Sequence, residues 1–300
     1  MILCAGEALI DMLPRTTGDG EDAFAPHAGG SVMNTAVALG RLGEKVSFFT
    51  GLSTDLFGDV LRTHLAASNV DTGPSHVSDR PTTLAFVKLV DGHATYAFYD
   101  ENTAGRMLLE DDLPEVTADA IFFGGISLVV EPCANTYEAL MQREAPHRLT
   151  MLDPNIRPGF ITDEARYRDR LHAMLALADV VKISDEDLDW VQGNTDAARL
   201  LDNDGTQVVL LTRGAEGVTV LTREGQFDVP AQKAEVVDTV GAGDTFSAGF
   251  LAGLSRAGHL SKDKVATAPD VLRAAAEMGA KTAAITVSRA GANPPWAHEL

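Results

Sequence analysis

The chain has 300 residues, 45% of them hydrophobic and 22% charged, which suits one large α/β domain or two small ones. Its formal net charge of −19 argues against binding to nucleic acids or anionic membranes, because both depend on Lys and Arg. Cys4 and Cys133 form no disulfide or metal pattern, and no apolar run approaches the ~18 residues of a membrane span. The first residues lack the features of a signal peptide, so we expect a cytoplasmic protein.

Short apolar runs alternate with helical patterns along the chain. The runs that predict strands are Met1–Ala5, Val46–Thr50, Ala120–Phe123, Leu149–Asp153, Val180–Ile183 and Val208–Thr212. The patterns that predict helices are Ser31–Leu42, Asp59–Ser68, Ala134–Arg143, Glu164–Leu177 and Ala197–Leu201. Nearly continuous apolar strands are buried on both faces, as in a parallel sheet. The alternation therefore predicts βα units and an α/β fold.

Two stretches break this rhythm. Leu13–Ala28 is polar and rich in Gly and Pro, whereas Thr82–Tyr99 alternates between apolar and polar residues around Asp91-Gly92. Asp-Gly between two alternating runs is a strong signal for a β-hairpin. We expect this hairpin to form a flap beside the main sheet, or else an edge hairpin without a function.

One segment near the C-terminus combines features of an anion site with a carboxylate. Gly241 and Gly243 flank Ala242, and an apolar helical run, Phe246–Leu254, follows. The amides of this loop should lie at a helix N-terminus, which favours anions. The carboxylate of Asp244 would be repelled by such an anion. It is therefore either a helix N-cap or a general base that takes a proton from an attacking hydroxyl.

The whole segment Asp238–Asp244 resembles the C-terminal signature of the ribokinase-like (PfkB) family of carbohydrate and nucleoside kinases. The resemblance implies that Asp244 is the catalytic base and that the amides of Gly241–Gly243 form the anion hole. It also implies that Asp238 helps to bind a monovalent cation such as K⁺, together with backbone carbonyls near Val287–Gly291.

A second motif, Ala28–Ala36, resembles the N-terminal signature of the same family, in which a Gly-Gly turn leads into a helix. The resemblance implies that Gly29, Gly30 and Asn34 hold the sugar, and that Asp11 binds sugar hydroxyls. An amide side chain suits this role, because it can both donate to and accept from hydroxyls. If this motif stood alone, a structural strand–helix turn with Asn34 as an ordinary polar surface residue would be the better explanation.

The segment Asp153–Pro158 resembles the D-x-N-x-R motif of the family's fructokinases and of related hexose and keto-acid kinases. The resemblance implies that Asn155 contacts the sugar. Arg157 would clamp a phosphate, since a guanidinium group matches oxyanions with two parallel hydrogen bonds. The alternative is a turn punctuated by prolines with an exposed arginine.

Two further segments resemble the nucleotide-binding parts of the family. Lys182–Asp187 lies where the family has N-x-x-E, which implies a nucleotide contact for Ser184 and a water-mediated Mg²⁺ contact for Asp187. The same residues could instead form a helix N-cap with an acidic first turn. Thr212–Gly217 resembles the T-x-G-x-x-G loop of the family. The residues that it places near ATP are Thr212, Gly214 and Gly217.

In this family a small β-sheet forms a lid over the sugar. The resemblance assigns residues 12–28 and 80–102 to the lid, packs Phe98 on the sugar and suggests a homodimer formed through the lid. Family members that phosphorylate 2-keto-3-deoxygluconate often carry an Arg after the aromatic pair of this strand. Here that position is Asp100, which disfavours an acidic sugar.

The resemblance covers nearly the whole chain. It implies a single domain, residues 1–300, with a three-layer α/β/α ribokinase-like fold, a mostly parallel sheet and a β lid. The implied activity is transfer of the γ-phosphoryl group of ATP, with Mg²⁺, to a sugar hydroxyl, and fructose is the acceptor that the motifs favour. The alternatives are a ribokinase, a nucleoside kinase or a 2-keto-3-deoxygluconate kinase, and, from another class, a sugar-binding regulator without catalytic activity.

Overall fold

A computed structural model describes residues 1–90 and 93–300, within which the chain forms seven α-helices and fifteen β-strands. The strands are β1 (Ile2–Ala5), β2 (Leu9–Thr16), β3 (Asp22–Gly29), β4 (Val46–Phe49), β5 (Gly51–Ser53), β6 (Val70–Asp71), β7 (His76–Ser78), β8 (Leu84–Val90), β9 (His93–Tyr99), β10 (Ala120–Gly124), β11 (Leu149–Asp153), β12 (Val180–Ser184), β13 (Val208–Thr212), β14 (Val218–Thr222) and β15 (Gly225–Val229). The helices are α1 (Ser31–Arg41), α2 (Leu56–Ala67), α3 (Cys133–Glu144), α4 (Glu164–Leu177), α5 (Asp185–Gln192), α6 (Ala242–Arg256) and α7 (Pro269–Val287). The turn predicted at Asp91-Gly92 lies outside the described residues.

The main sheet contains nine strands in the order β15-β14-β13-β12-β11-β10-β1-β4-β6. All neighbouring strands run parallel except for the pairs β13–β14 and β14–β15, which are antiparallel. Every residue of β1, β10 and β11 is buried, which is why their sequences are almost continuously apolar. The prediction of a mostly parallel central sheet is confirmed.

Helices cover both faces of this sheet. One hydrophobic cluster joins the sheet to residues of α1, α2, α6 and α7, and a second joins the opposite face to α3, α4 and α5. Alternate residues of one strand divide between the clusters, since Met151 belongs to the first and Leu152 to the second. The predicted three-layer α/β/α arrangement is therefore confirmed.

A smaller sheet has the order β3-β2-β8-β9. The polar stretch Leu13–Ala28 contains the second half of β2 and most of β3, which pair antiparallel. The predicted hairpin supplies β8 and β9. Strand β2 joins the two pairs by running parallel to β8. A separate pair of short parallel strands, β5 and β7, completes the β structure of the described residues.

Two of the departures from the expected helices have a clear local cause. Helix α2 begins at Leu56 rather than Asp59, because the Asp55 carboxylate caps it by accepting from the amides of Phe57 and Gly58. The segment predicted as a helix at Ala197–Leu201 is a 3₁₀ helix over Ala197–Asp202, which is common for such a short piece. Among the described residues, no helix is both long enough and apolar enough to cross a membrane.

Candidate active site

The loop before α6 is set up for an anion. Gly241 is the N-cap of α6 in the left-handed conformation, with φ of 77°, and no side chain caps the helix. A Cβ atom at Gly241 would lie 2.7 Å from the Cβ of Ala292, so both the conformation and the space favour glycine. The amide of Ala242 donates to the carbonyl oxygen of Thr239 at 3.3 Å. The following amides of the first turn lie at the positive end of the helix dipole, where they can face a ligand.

Asp244 is the third residue of α6 and is 7% exposed. Because Gly241 is the N-cap, the interpretation of Asp244 as a capping residue is wrong. Its Oδ2 atom accepts a hydrogen bond of 2.9 Å from Nδ2 of Asn34. Burial raises the pKa of Asp244 to about 7, the hydrogen bond from Asn34 opposes that rise, and the Asp153 carboxylate adds to it. A carboxylate with such a pKa is well matched to act as a general base near neutral pH.

A cavity of about 340 Å³ opens beside Asp244. It gathers the predicted catalytic and sugar-binding residues from opposite ends of the sequence. The predicted residues that line it are Asp11, Gly30, Asn34, Phe98, Asn155, Arg157, Gly241, Ala242, Gly243 and Asp244. We call it the sugar cavity, after the predicted sugar-binding residues that line it.

The smaller sheet forms one wall of the sugar cavity. Asp11 pairs with Ala85 across β2 and β8, and Ala85 pairs with Phe98 across β8 and β9, so these three residues form one row on one face. Phe98 also packs edge-on against Phe160, with 4.6 Å between the ring centroids. Burial raises the pKa of Asp11 to about 6. The row presents a carboxylate and an aromatic ring to the cavity.

The two glycines of the N-terminal motif have different surroundings. Gly30 lines the cavity with φ of 108°, and a Cβ atom there would meet the carbonyl oxygen of Glu7 at 2.8 Å. Gly29 does not line the cavity, but a Cβ atom at Gly29 would lie 2.1 Å from Oδ2 of Asp11. Gly29 therefore leaves room for the carboxylate of Asp11 rather than for the ligand.

A second cavity, of about 510 Å³, lies on the other side of the loop before α6. The predicted nucleotide residues Thr212, Gly214 and Gly217 line it. The sequence did not reveal its remaining walls, which come from residues 231–236 and from the face of α7 that includes residues 280–287. The residues that line both cavities are Thr239, Ala242 and Gly243. The loop thus separates two neighbouring sites, and we call the second one the nucleotide cavity.

Ser184 and Asp187 line neither cavity among the described residues. Ser184 is the N-cap of α5 and accepts a hydrogen bond of 3.0 Å from the amide of Asp187, so the capping interpretation is confirmed. Oδ1 of Asp187 accepts from the amide of Ile156 at 3.2 Å, which ties α5 to the loop that carries Asn155 and Arg157. The nucleotide and Mg²⁺ contacts assigned to Ser184 and Asp187 stay predictions.

Asp238 lies beside Val287–Gly291, the segment whose backbone carbonyls the family resemblance assigns to the same cation site. Its two carboxylate oxygens accept from the amide of Val240 at 3.0 Å and from the amide of Gly291 at 2.9 Å. The backbone amides of Val237 and Asp238 both donate to the carbonyl oxygen of Val287. These contacts hold the loop before α6 against the C-terminal end of α7, and the monovalent cation site at this position stays a prediction.

Two charged residues at the site carried no assigned role. Glu7 lines the sugar cavity, accepts from the amide and hydroxyl of Ser31, and accepts from the amide of Ser127. Lys182 is buried in β12 beneath the loop. The signal in the sequence that could have identified both is a charged residue inside an otherwise apolar strand, as for Lys182, or two residues after one, as for Glu7.

Two neighbouring cavities meet at the glycine loop before α6, and the buried carboxylate of Asp244 lines one of them directly after that loop. Such an arrangement suits a phosphotransferase that moves a phosphoryl group onto a hydroxyl of a small polar acceptor. The comparisons with known proteins agree. The family model described as pfkB family carbohydrate kinase matches residues 1–299, and the chain belongs to this family.

Similar proteins extend over almost the full chain. Over 273 residues, covering 89% of this chain and 83% of the relative, it is 55% identical to a fructokinase of Rhizobium leguminosarum bv. trifolii. The structure of a fructokinase with bound ATP from Xylella fastidiosa matches with a TM-score of 0.90 and 31% identity, covering 97% of this chain and 93% of that one.

A fructokinase from Vibrio cholerae O395, in a form with bound fructose, ADP and calcium ion, matches with a TM-score of 0.83. Its identity is 25%, and the match covers 97% of this chain and 94% of that one. The resemblance to the PfkB family, the ribokinase-like fold and the class of enzyme are thereby confirmed. The protein is a sugar kinase, a phosphotransferase with an alcohol group as acceptor.

Proposed function

We propose that this protein is a fructokinase, which transfers the γ-phosphoryl group of ATP to a primary hydroxyl of D-fructose. The observation that carries the proposal is the position of Asp244, which is buried, lines the sugar cavity and lies one residue after the loop shared with the nucleotide cavity. The fructokinase relatives support fructose as the acceptor and ATP as the donor.

The proposed mechanism divides the work among residues of the sugar cavity. Asp11 and Asn34 bind sugar hydroxyls, while Asp244 accepts the proton of the hydroxyl that attacks the γ-phosphoryl group. The amides of the Gly241–Gly243 loop stabilise the negative charge that develops on the transferred group. Arg157 is exposed at the cavity rim, where its guanidinium group is available to phosphate oxygens.

The charges of the sugar cavity favour a neutral acceptor. Three carboxylates, those of Glu7, Asp11 and Asp244, line it, and Arg157 is the one basic residue among the described lining residues. An anionic sugar would be repelled by these carboxylates unless they were protonated. Asp100, which replaces the arginine of the 2-keto-3-deoxygluconate kinases, is buried and pairs with Arg106 at 3.3 Å.

A panel of acceptors tests the proposed function. We expect ADP release to be fastest with fructose when the purified protein is given fructose, ribose, adenosine and 2-keto-3-deoxygluconate in turn. Faster turnover of any other acceptor would assign the protein to the corresponding kinase. Sugar binding without turnover of any acceptor would support a non-catalytic regulator instead.

The pH dependence of activity should follow Asp244. Because a general base must be ionised and burial raises the pKa of Asp244 to about 7, we expect kcat/KM for fructose to rise about tenfold per pH unit below pH 7 and to level off above it.

The raised pKa of Asp244 also makes the stability of the fold depend on pH, and this dependence has the opposite sign. The folded state then binds this proton more tightly than the unfolded state, so the contribution of Asp244 to the free energy of unfolding falls as pH rises from 3.8 to about 7.

Initial rates measured from pH 5 to 9 test this expectation. In the variant Asp244→Asn, the residual kcat/KM should no longer rise with pH below pH 7, because the carboxylate that titrates there is gone. A wild-type profile that stays flat between pH 5 and 8 would show that a buried carboxylate with this pKa does not limit the reaction.

We propose Mg²⁺ as the metal that accompanies ATP. When bound, it would neutralise charge on the phosphates. Among the described residues, no three carboxylate, imidazole or thiol groups form a cluster that could hold a metal ion, so phosphate oxygens and water would supply most of the ligands.

Asp187 would contact the Mg²⁺ ion through water, and Asp238 would help to bind K⁺. Titration of activity with MgCl₂ and exchange of KCl for tetramethylammonium chloride test both ions, since activity independent of either ion contradicts that assignment.

We also propose that the smaller sheet is a lid and that two chains pair through it. The face of this sheet opposite Asp11 and Phe98 carries three aromatic rings. The ring centroid of Phe86 lies 5.0 Å from that of Phe24 and 5.4 Å from that of Tyr99. Phe24 is 47% exposed and Tyr99 is 63% exposed, so aromatic surface is left for a partner. Light scattering should give the mass of two chains, and the mass of one chain would contradict the proposal.

A cytoplasmic location is the last part of the proposal. The two cysteines are free and buried, as expected for a reducing compartment where ATP is available. Cell fractionation followed by immunoblotting tests it, and recovery in the secreted or membrane fraction would overturn it.

A further inference from the structure

A buried ion pair lies beneath the first turn of α6. Nζ of Lys182 on β12 donates to Oδ2 of Asp153, the last residue of the adjacent parallel strand β11, at 2.9 Å. The two residues are only 5% and 2% exposed. In both strands, the residues two positions earlier, Val180 and Met151, pack in the cluster that contains α1 and α6, so the pair points toward the side of the sheet that carries Asp244.

The ammonium group touches the anion loop from within the protein. A Cβ atom placed on Gly243 would lie 3.0 Å from Nζ of Lys182. Among the described residues, apart from its chain neighbours Ala242 and Asp244, it would meet no other side chain within 4 Å. Gly243 lines both the sugar and the nucleotide cavity, whereas Lys182 is not among the described residues that line either one. Lys182 therefore lies directly behind the loop, and the ligand would lie in front of it.

The surroundings of Lys182 are strongly acidic. Burial lowers the pKa of Lys182, but the neighbouring carboxylates of Asp153, Asp187 and Asp244 outweigh burial and raise it overall. In the described part of the chain, Asp153 forms an ion pair with Lys182 alone, and its Oδ1 atom is buried without a hydrogen-bond partner. Without the ammonium group, the space behind the loop would repel the phosphates of a nucleotide.

We propose that Lys182 is a positioning residue for phosphoryl transfer, whose ammonium group stabilises, from behind the Gly241–Gly243 loop, the negative charge on the transferred group. The inference rests on the proposed function. A charge that is fixed in a buried place before the reaction needs no reorganisation during it, which makes such a group effective. Asp153 holds the ammonium group in place through the 2.9 Å hydrogen bond.

The variants must separate this role from a purely structural one. Lys182→Met alone would leave the Asp153 carboxylate buried without a counterion, which destabilises a fold strongly. The double variant Asp153→Asn/Lys182→Met removes both charges and avoids that problem. Comparing it with Asp153→Asn alone isolates the effect of the lysine.

The expected results concern kcat with MgATP and fructose. Relative to Asp153→Asn, the double variant should lose about 10- to 100-fold in kcat, less than the loss from removing a donor that touches the oxyanion directly. KM for fructose should change less than about threefold, because Lys182 does not line the sugar cavity. The dissociation constant of ADP with aluminium fluoride, which imitates the transferred group, should rise in parallel with the loss of kcat, while that of ADP alone should not.

A second ion pair, in which the carboxylate is buried and the lysine is partly exposed, provides a control. Lys262 pairs with the buried Asp179 at 2.6 Å, at the amino-terminal end of the same strand β12. Lys262→Met should lower the melting temperature but leave kcat unchanged. The inference is overturned if the double variant turns over within twofold of Asp153→Asn, or if Lys262→Met loses kcat to the same degree. If the wild type phosphorylates no acceptor, the proposed function fails, and the binding of ADP with aluminium fluoride still decides the role of Lys182.

Discussion

The variant Asp244→Asn should lose kcat on the order of 10²- to 10⁴-fold, because the hydroxyl that attacks the phosphoryl group would no longer have a base. The substitution keeps the size of the side chain and an oxygen that can accept from Nδ2 of Asn34, which now donates to Asp244 at 2.9 Å. We therefore expect KM for fructose to change little. Steady-state rates of ADP release, with fructose and MgATP varied separately, measure both quantities.

Asp270→Asn is a suitable control for this variant. Asp270 also lies in the first turn of a helix, α7, but it is exposed and lines neither cavity. Its substitution should leave kcat within twofold of the wild type. If Asp244→Asn raised KM for fructose and kept kcat, Asp244 would be a sugar ligand rather than the base.

The variant Gly241→Ala should lose kcat on the order of 10²- to 10³-fold, similar to the removal of one donor from an oxyanion hole. Two costs arise at this residue. A left-handed conformation, with φ of 77°, is unfavourable for alanine, and the new Cβ atom would lie 2.7 Å from the Cβ of Ala292. The loop must shift to relieve the clash, which moves its amides away from the phosphoryl group.

Gly258→Ala separates the two costs. Gly258 has a similar φ of 71°, follows the C-terminal end of α6, and would place a Cβ atom in open space. Both variants should lose about 1–2 kcal/mol of unfolding free energy from backbone strain, as measured by urea denaturation. Only Gly241→Ala should lose kcat. Equal kcat values for the two variants would show that the loop amides tolerate displacement.

The sequence predicted the parts of the fold and site that depend on local patterns. Continuous apolar runs such as Leu149–Asp153 indicated buried parallel strands, because nothing in such a run needs to face water. The pairing of glycines with Asp244 at the start of a helix indicated the anion loop. The sequence does not decide between N-cap and base for Asp244, because the decision depends on which residue of the loop adopts the left-handed conformation.

Other features depend on contacts between distant segments. The row of Asp11, Ala85 and Phe98 arises from the register of three strands, which the sequence alone does not fix. The nucleotide cavity is completed by residues 231–236, a stretch without regular structure, and by one face of α7. Lys182 belongs to a predicted strand, and the proximity of its ammonium group to Gly243 depends on how β12 packs against the loop before α6.

The central claim is that Asp244 and the loop before it transfer the γ-phosphoryl group of ATP to a primary hydroxyl of fructose. Phosphorus NMR of the wild-type protein with MgATP and fructose tests it most directly. The γ-phosphate signal of ATP should decline while a phosphomonoester signal, split by the two protons of a CH₂ group, grows in the same amount. Release of inorganic phosphate in place of the ester, or an unchanged ATP spectrum, would contradict the claim.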